Sequence, residues 1–540
     1  MNGAVGTPRT GPGERAPGGH AAAEGPLPLI HTAVARHARR APDAVALAQG
    51  DVRLGYGELD ALSDAWAARL AALGAGPGRF VPVLLPRSPA LVAALLAVLK
   101  CGAAYAALDP AWPARRLSTV LATLRPPVAV APGPFEGWAG PVWSPPDGDP
   151  RDTADRRARS SGAPPSLPAP TGRSPATVFF TSGTTGRPKA VVSAHAATTS
   201  LFDAGFAPFP AAPVMPQAAP VGWDAFTLET WGPLIRGGTS VLVERGPLLP
   251  AVLRTLADRD GVDTVWLTAS LFNLFVDEDP DCFRPLRRVL TGGERLSVPH
   301  VRAFMERHSA ALFNGYGPVE TCVFATVHRV TPEDCDRPGG IPVGRPAPGR
   351  RVRVLLDGRP APPGSIGEIC VGGDGVAVGY LGEPELTARA FPVLVPDGRP
   401  ERIYRTGDLG RFDPDGLLHF AGRADRQVKI RGHRVEPDEV ESAARDLKGI
   451  GDCAAVPVPG ADGTYDRLAL FYTGDGTDSE LPGASALRRA LAVVLPRHLL
   501  PDVVRRTDSL PLTGTGKLDR AALAATLLRR DGTRETEEPV

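Results

Sequence analysis

Five short strings in this chain of 540 residues gather residue types that can do chemistry. Thr181, Ser182, Gly183, Thr184, Thr185 and Gly186, then Arg187, Pro188 and Lys189, follow a strand-like stretch at 176–180. Glycines and hydroxyl residues give a loop whose amides and hydroxyls can wrap phosphate oxygens, and Lys189 adds charge. The spacing is not that of the Walker loop. In Asn314-Gly315-Tyr316-Gly317-Pro318-Val319-Glu320-Thr321, the Tyr316 ring can stack on a purine and Asn314 can bond its edge. Glu320 can hold a divalent cation that bridges phosphates. The string 404–408 ends a strand on Asp408, a carboxylate that can accept from two ribose hydroxyls. A fourth string, 422–432, carries Arg423, Asp425 and Lys429, and the fifth, 510–517, puts Lys517 in a Gly/Thr turn near the end of the chain. Taken singly, each also reads as an ordinary surface turn, and Asp408 alone as a cap.

Such strings need a scaffold. At about 150 residues per domain the length suggests three or four domains. Hydrophobic residues make up 43% and charged residues 22%, enough apolar material for a large core despite 61 glycines and 59 prolines. A helical pattern runs over 29–41, a buried-strand pattern over 81–86, a helix over 89–101 and a strand over 128–131. Strands alternating with helices predict a largely parallel α/β sheet. From 341 to about 420 the texture becomes short strands and Gly/Pro turns, as in a small β-barrel. An α+β unit follows over 428–527. Residues 1–27 read as a disordered tail, 144–175 as a Pro-rich loop and 528–540 as a polar tail.

Composition excludes several classes. Net charge is +1, which argues against nucleic acid or an anionic membrane as partner. The longest apolar run, 90–99, is half of what a membrane helix needs. Six cysteines without a C-x-x-C pair fit reduced thiols, and a cytoplasmic protein is expected. The basic residues are 55 arginines and only five lysines: Lys100, Lys189, Lys429, Lys448 and Lys517. Where Arg is written almost everywhere, a surviving Lys can mark a place that needs a compact ammonium.

Together and in this order, the strings resemble the adenylate-forming superfamily, specifically an amino-acid adenylation domain of nonribosomal peptide synthesis. The resemblance covers about residues 28–527 and includes the strings at 54–59, 99–105, 108–110, 367–373, 379–381 and 495–496. It implies an α/β fold: a large N-terminal unit (28–424) of two α/β subdomains plus a small β-barrel, then a hinge and a small mobile C-terminal α+β lid (425–527). It implies a ligase that consumes ATP with Mg²⁺ to make an aminoacyl-adenylate, then passes the acyl group to a phosphopantetheine thiol on a carrier protein.

By similarity, Thr181–Lys189 hold the β- and γ-phosphates. Tyr316 stacks on adenine with Asn314 nearby, and Asp408, supported by Arg423, binds the ribose. Glu320 ligates the metal. Lys517 bridges the substrate carboxylate and α-phosphate, where negative charge develops. Asp425 is the hinge. Two departures stand out: Val319 replaces a family threonine, with Thr321 or a loop amide as substitute, and Thr515 replaces an asparagine.

The family's substrate-lining positions fall on Asp224, Ala225, Leu228, Trp266, Leu290, Gly292, Gly315, Val323, Phe324 and Lys517. Asp224 pairs with an α-ammonium; an acid without one would leave it buried and unpaired. The rest of the lining is apolar, with two glycines opening room, and so points to a small branched aliphatic amino acid, valine before isoleucine. The chain shows no carrier, condensation or thioesterase motif, so a discrete carrier acting in trans is expected. The segment 113–117 lies where relatives dock an MbtH-like helper protein. The competing readings are an acyl- or aryl-CoA ligase of the same superfamily and a catalytically degraded nucleotide-binding regulator.

Overall fold

The computed structural model of the chain describes residues 28–146, 169–182, 188–202, 205–244, 246–396, 398–460, 465–474, 482–513 and 518–534. The expected N-terminal tail, most of the Pro-rich loop, and Gly183, Thr184, Thr185, Gly186, Thr515 and Lys517 lie outside them.

The helix Pro89–Lys100 is apolar all round and buried along nearly its whole length, as such a helix must be. Ser88 caps it by accepting from the Leu91 amide at 3.2 Å, and Pro89 fits its first turn. It ends on Lys100, whose ammonium reaches the Asp60 carbonyl at 2.8 Å and the Asp60 and Asp64 carboxylates at 2.6 Å each. The strand Val52–Gly55 runs straight into the helix Tyr56–Ala72. Glu58 accepts from the Gly55 amide at 2.8 Å there, closing the first turn.

Two α/β sheets carry the N-terminal part. A seven-stranded sheet runs Gly379–Tyr380, Lys189–Ala194, Pro175–Thr181, Ala104–Ala107, Phe80–Val83, Ala129–Val130, Val142–Trp143, and is parallel from Pro175–Thr181 outward. The phosphate-type string begins at the end of one of its strands and ends at the start of the next, where Thr181 pairs antiparallel with Lys189. A four-stranded sheet, Val52–Gly55, Val45–Gln49, Thr239–Leu242, Val214–Gln217, meets a five-stranded one, Thr264–Thr268, Arg288–Gly292, Ala311–Tyr316, Thr326–Arg329, Arg345–Pro346. Asp263 joins them by giving its amide to the Val214 carbonyl at 3.0 Å and accepting the Val214 amide at 3.2 Å.

The β-rich region is a six-stranded antiparallel sheet built around the long strand Glu401–Phe412. A last sheet, His433–Val435, Val428–Ile430, Tyr465–Gly474, Ile450–Pro459, with Val503–Arg506 beside Tyr465–Gly474, forms the C-terminal part. The helix Arg520–Arg534 packs its first half on that sheet and runs into the stretch expected to be a polar tail.

The two parts touch through the helices Ala114–Leu124 and Pro437–Arg445. Arg116 and Glu439 pair there at 3.2 Å, both nearly sealed from solvent, with the guanidinium also over the Trp112 ring. Breaking a buried pair costs up to about 3–5 kcal/mol. An Arg116→Met variant is therefore expected to loosen the C-terminal part. Amide exchange in Pro437–Arg445 should rise while the main unfolding transition stays within about 2 °C of wild type. Unchanged exchange in that helix would refute the assignment.

Candidate active site

Three parallel strands end together. Thr268, Gly292 and Gly315 are in register at the carboxyl ends of Thr264–Thr268, Arg288–Gly292 and Ala311–Tyr316. Crevices outside such ends are where α/β sheets bind ligands. A cavity of about 70 Å³ opens there, lined by Asp224, Ala225, Trp266, Gly315, Val323 and Phe324, as expected, and also by Trp223, Thr268, Gly293, Gly317, Lys429 and Gly432.

The loop after Ala311–Tyr316 folds back over its own strand. A Cβ at Gly315 would run into the Phe324 ring, and one at Gly317 would meet the Val323 carbonyl and Ala325 amide. Gly292 faces the Gly315 carbonyl in the same way, at φ +155°. The glycines are therefore demanded by packing. They do not open room for substrate, because Phe324 fills the space over Gly315. Leu228 and Leu290 are core residues that do not line the cavity: Leu290 lies two residues before Gly292, within the strand. The cavity wall is aromatic, with Trp266 edge-on to Phe324 at 5.3 Å and Phe206 stacked behind Phe324 at 6.1 Å.

Asp224 opens the helix Asp224–Arg236, where the helix dipole favours a carboxylate. It accepts the Val323 amide at 3.2 Å. Burial pushes its carboxyl up, while Lys429 and these amides pull it down. The lining is thus not wholly apolar besides Asp224. Lys429 lies among Asp408, Asp224 and Glu294, and burial lowers its ammonium against their pull. The Thr268 hydroxyl is engaged as the cap of the helix Ala269–Glu278.

Beside the cavity, Tyr316 donates its hydroxyl to Asp408 at 2.5 Å, and Arg423 pairs with the other Asp408 oxygen. The same guanidinium forks onto Asp425 at 2.7 and 2.8 Å, so one cation joins the ribose-type carboxylate to the hinge position. Asn314 gives its amide to the Pro342 carbonyl at 2.8 Å, a structural use of the group expected at the purine edge. Thr321 is fully buried and donates to the Pro318 carbonyl at 2.9 Å, so it does not replace the hydroxyl missing at Val319.

Glu320 has no exposed surface. Both oxygens take Arg434, at 3.2 and 3.0 Å, and one takes the Tyr380 hydroxyl at 3.0 Å. Burial pushes its carboxyl up, but Arg434 and these hydrogen bonds prevail and hold it below the usual range. Arg434 also offers its carbonyl to the Ser182 hydroxyl at 3.4 Å; burial lowers the Lys189 ammonium, and the Arg434 charge lowers it further. Sequence reasoning missed Arg434, Tyr380 and Glu294. Arg434 lies just beyond the 422–432 string, and Glu294, which accepts the Gly432 amide at 2.7 Å, follows the pair Gly292-Gly293.

Residues 34–381 match the family model of AMP-binding enzymes. The chain belongs to that family. It is an adenylate-forming ligase of the nonribosomal peptide synthetase adenylation type. It is 35% identical over 504 residues to surfactin synthase subunit 2 of Bacillus subtilis, covering 92% of this chain and 14% of that protein. Tyrocidine synthase 3 of Brevibacillus parabrevis is 34% identical over 498 residues, covering 90% of this chain and 7% of that protein. The chain thus spans a small share of the relatives it matches.

Among solved structures, holo-PA1221, an NRPS protein containing adenylation and PCP domains bound to a vinylsulfonamide inhibitor, aligns with TM-score 0.82 and 36% identity. The match covers 93% of this chain and 84% of that one. NpsA-ThdA, an artificially fused adenylation–PCP di-domain from Klebsiella oxytoca, aligns with TM-score 0.80 and 25% identity, covering 90% and 95%. Among the described residues of the adenylation chain, no helix is long and apolar enough to cross a membrane.

Its fold-back loop is testable. Gly315→Ala should destabilise by about 1–3 kcal/mol, because a well-packed ring must move. Adding Phe324→Leu should return most of that loss. Additive losses in chemical denaturation would show that the two positions do not collide.

Proposed function

We propose that the enzyme activates a small aliphatic amino acid, valine before isoleucine, and hands the acyl group to a phosphopantetheine thiol on a carrier protein. The observation that carries the reading is Asp224: a carboxylate at a helix start, facing a small cavity whose other walls are mainly aromatic and aliphatic. A bound α-ammonium gives it a counter-charge of its own; a simple acid would leave it only Lys429, a cation it shares with Asp408 and Glu294. An aromatic wall closed by Phe324 limits side-chain size. One methylene is worth only about 1–3 kcal/mol, so some leakage between aliphatic substrates is expected. That holo-PA1221 and NpsA-ThdA combine adenylation and PCP domains supports the carrier as acceptor.

In the first half-reaction a substrate carboxylate oxygen attacks the α-phosphorus of ATP, the bond to the β-phosphate oxygen breaks, and pyrophosphate leaves. In the second, the thiol loses its proton, its sulfur attacks the acyl carbon, and AMP leaves. Thr181–Lys189 hold the outer phosphates, Tyr316 stacks on adenine, Asp408 with Arg423 binds the ribose, and Lys517 neutralises the charge that develops at the α-phosphate.

Mg²⁺ fits Glu320. No group of three His, Cys, Asp or Glu able to hold a metal exists among the described residues. One buried carboxylate plus substrate phosphates suits an ion that keeps its waters and hard oxygen ligands. When bound, the ion offsets phosphate charge. Arg434 engages both Glu320 oxygens here. The hairpin 428–435 must then draw back before Glu320 can take a metal, and rotation about Asp425 is the movement we assign. The segment 113–117 is a weak helper site in this arrangement, because Arg116 and Leu117 are buried.

Amino-acid-dependent pyrophosphate release, with hydroxylamine trapping, tests the reading across proteinogenic and aliphatic amino acids. A peak at valine or isoleucine is expected. Asp224→Asn should raise the amino-acid KM at least about tenfold and leave the ATP KM within twofold. A peak at an aryl or fatty acid, or coenzyme A as the better acceptor, would favour a CoA ligase.

The hinge has a separate test. Asp425→Pro is expected to keep adenylate formation within a few-fold of wild type and to abolish acyl transfer to the carrier, since proline fixes φ. Equal loss of both half-reactions would remove Asp425 from that role.

A further inference from the structure

Arg350 is a buried cation to which no step above assigns a part. It is 5% exposed, and its hydrogen bonds go to uncharged oxygens, with the Asp374 carboxylate acting on it through charge alone. A charge so placed is costly unless its donors are met. Both terminal nitrogens of its guanidinium meet oxygen, while the buried Nε faces Gly375 and has no hydrogen-bond partner among the described residues. One terminal nitrogen donates to the Pro348 carbonyl at 2.8 Å and the Ser200 hydroxyl at 3.1 Å. The other donates to the carbonyls of Ala197 at 2.7 Å, Thr321 at 3.1 Å and Cys322 at 3.1 Å. Gly375 packs on the guanidinium so closely that a Cβ there would collide with it.

The last two acceptors stand at a strained place. Cys322 and Val323 both have left-handed backbone, with φ of 57° and 64°. For a β-branched residue that is a genuine outlier. The Phe324 amide donates back to the Cys322 carbonyl at 2.9 Å, which makes Val323 the centre of a γ-turn of the rare, strained hand. Strain of about 1–3 kcal/mol per residue persists only where the surroundings over-determine it. The turn has two products. It aims the Val323 amide at Asp224, and it lays Phe324 over Gly315. Those are the polar anchor and the size-limiting wall of the cavity.

We propose that Arg350 is a positioning residue for the amino-acid pocket: by holding the Thr321 and Cys322 carbonyls it keeps the 321–324 turn in the strained form that sets Asp224 and Phe324. The inference deepens the amino-acid reading and rests on it. Arg350 touches no substrate; it acts through the turn. Lysine would keep the charge and lose the fork that spans carbonyls from three segments.

The test uses the full chain with Arg350→Gln, and with Arg350→Lys should the first not fold. Two readouts are taken. Hydrogen exchange in peptides covering 319–325 should quicken at least about tenfold relative to the flanking strands. The amino-acid KM should rise about tenfold or more while the ATP KM stays within twofold, and the preference between the best and next-best aliphatic substrate should shrink. Adding Cys322→Gly should recover part of the amino-acid KM, because glycine takes left-handed backbone at no cost. Parallel loss in both substrates, with exchange at 319–325 unchanged, would overturn the proposal. So would a glycine that recovers nothing. Wild-type enzyme that ignores every amino acid would sink the substrate reading instead, and the exchange data alone would then decide on the clamp.

Discussion

A loop that must turn back on the strand feeding it imposes most of the site. After Ala311–Tyr316 the chain reverses within a few residues, and its returning limb lies directly on Gly315 and Gly317. Any side chain there would push the limb away. With glycine in place, one short segment delivers a tyrosine bonded to Asp408, the buried Glu320, an amide for Asp224 and a ring that closes the cavity. The reversal costs backbone strain at Cys322 and Val323, and the surrounding carbonyl contacts offset it. Precision in the pocket is thus obtained from backbone geometry more than from side-chain choice.

Guanidinium forks connect this loop to the rest of the molecule. Arg423 binds Asp408 and Asp425 at once, so the nucleotide-type carboxylate and the hinge position share one cation. Arg434 brings the C-terminal sheet onto Glu320. The pairs Arg423–Asp408 and Arg434–Glu320 are largely out of water, where a missing partner costs more than the pair gains, while Asp425 is half exposed. The arrangement of the two parts is therefore coupled to the charge on Glu320. Whatever neutralises Glu320 or occupies Asp408 alters which interdomain contacts are favourable.

Much of this is legible in the sequence because the chemistry lies in contiguous strings. A strand followed by glycines, hydroxyls and a lysine reads as a phosphate loop, and its two ends, Thr181 and Lys189, pair on adjacent antiparallel strands. The alternation of strands and helices, and the change to short strands after 341, are also local signals. Arg350 leaves no such mark, because its acceptors beyond the neighbouring Pro348 are backbone oxygens and one hydroxyl from two distant segments. Arg116 meets a partner 323 positions away. The pocket glycines read as space for substrate, since a sequence cannot show that Phe324 already fills it. Asn314 reads as a purine contact because its type permits that, and only geometry shows its amide spent on Pro342.

The scarcity of lysine is explained at three of its five positions. Lys100 draws one carbonyl and two carboxylates onto a single nitrogen, a convergence that a planar guanidinium cannot match. Lys429 sits among three carboxylates, and Lys189 lies where Arg434, Glu320 and Glu436 meet. Lys448 is exposed and has no such surroundings. Arginine is used in the complementary way, because Arg350 and Arg423 each bridge two or more separated acceptors. Choice between the two cations follows the geometry of the acceptors. Oxygens that converge on one point suit an ammonium, and oxygens spread over a few ångströms suit a fork.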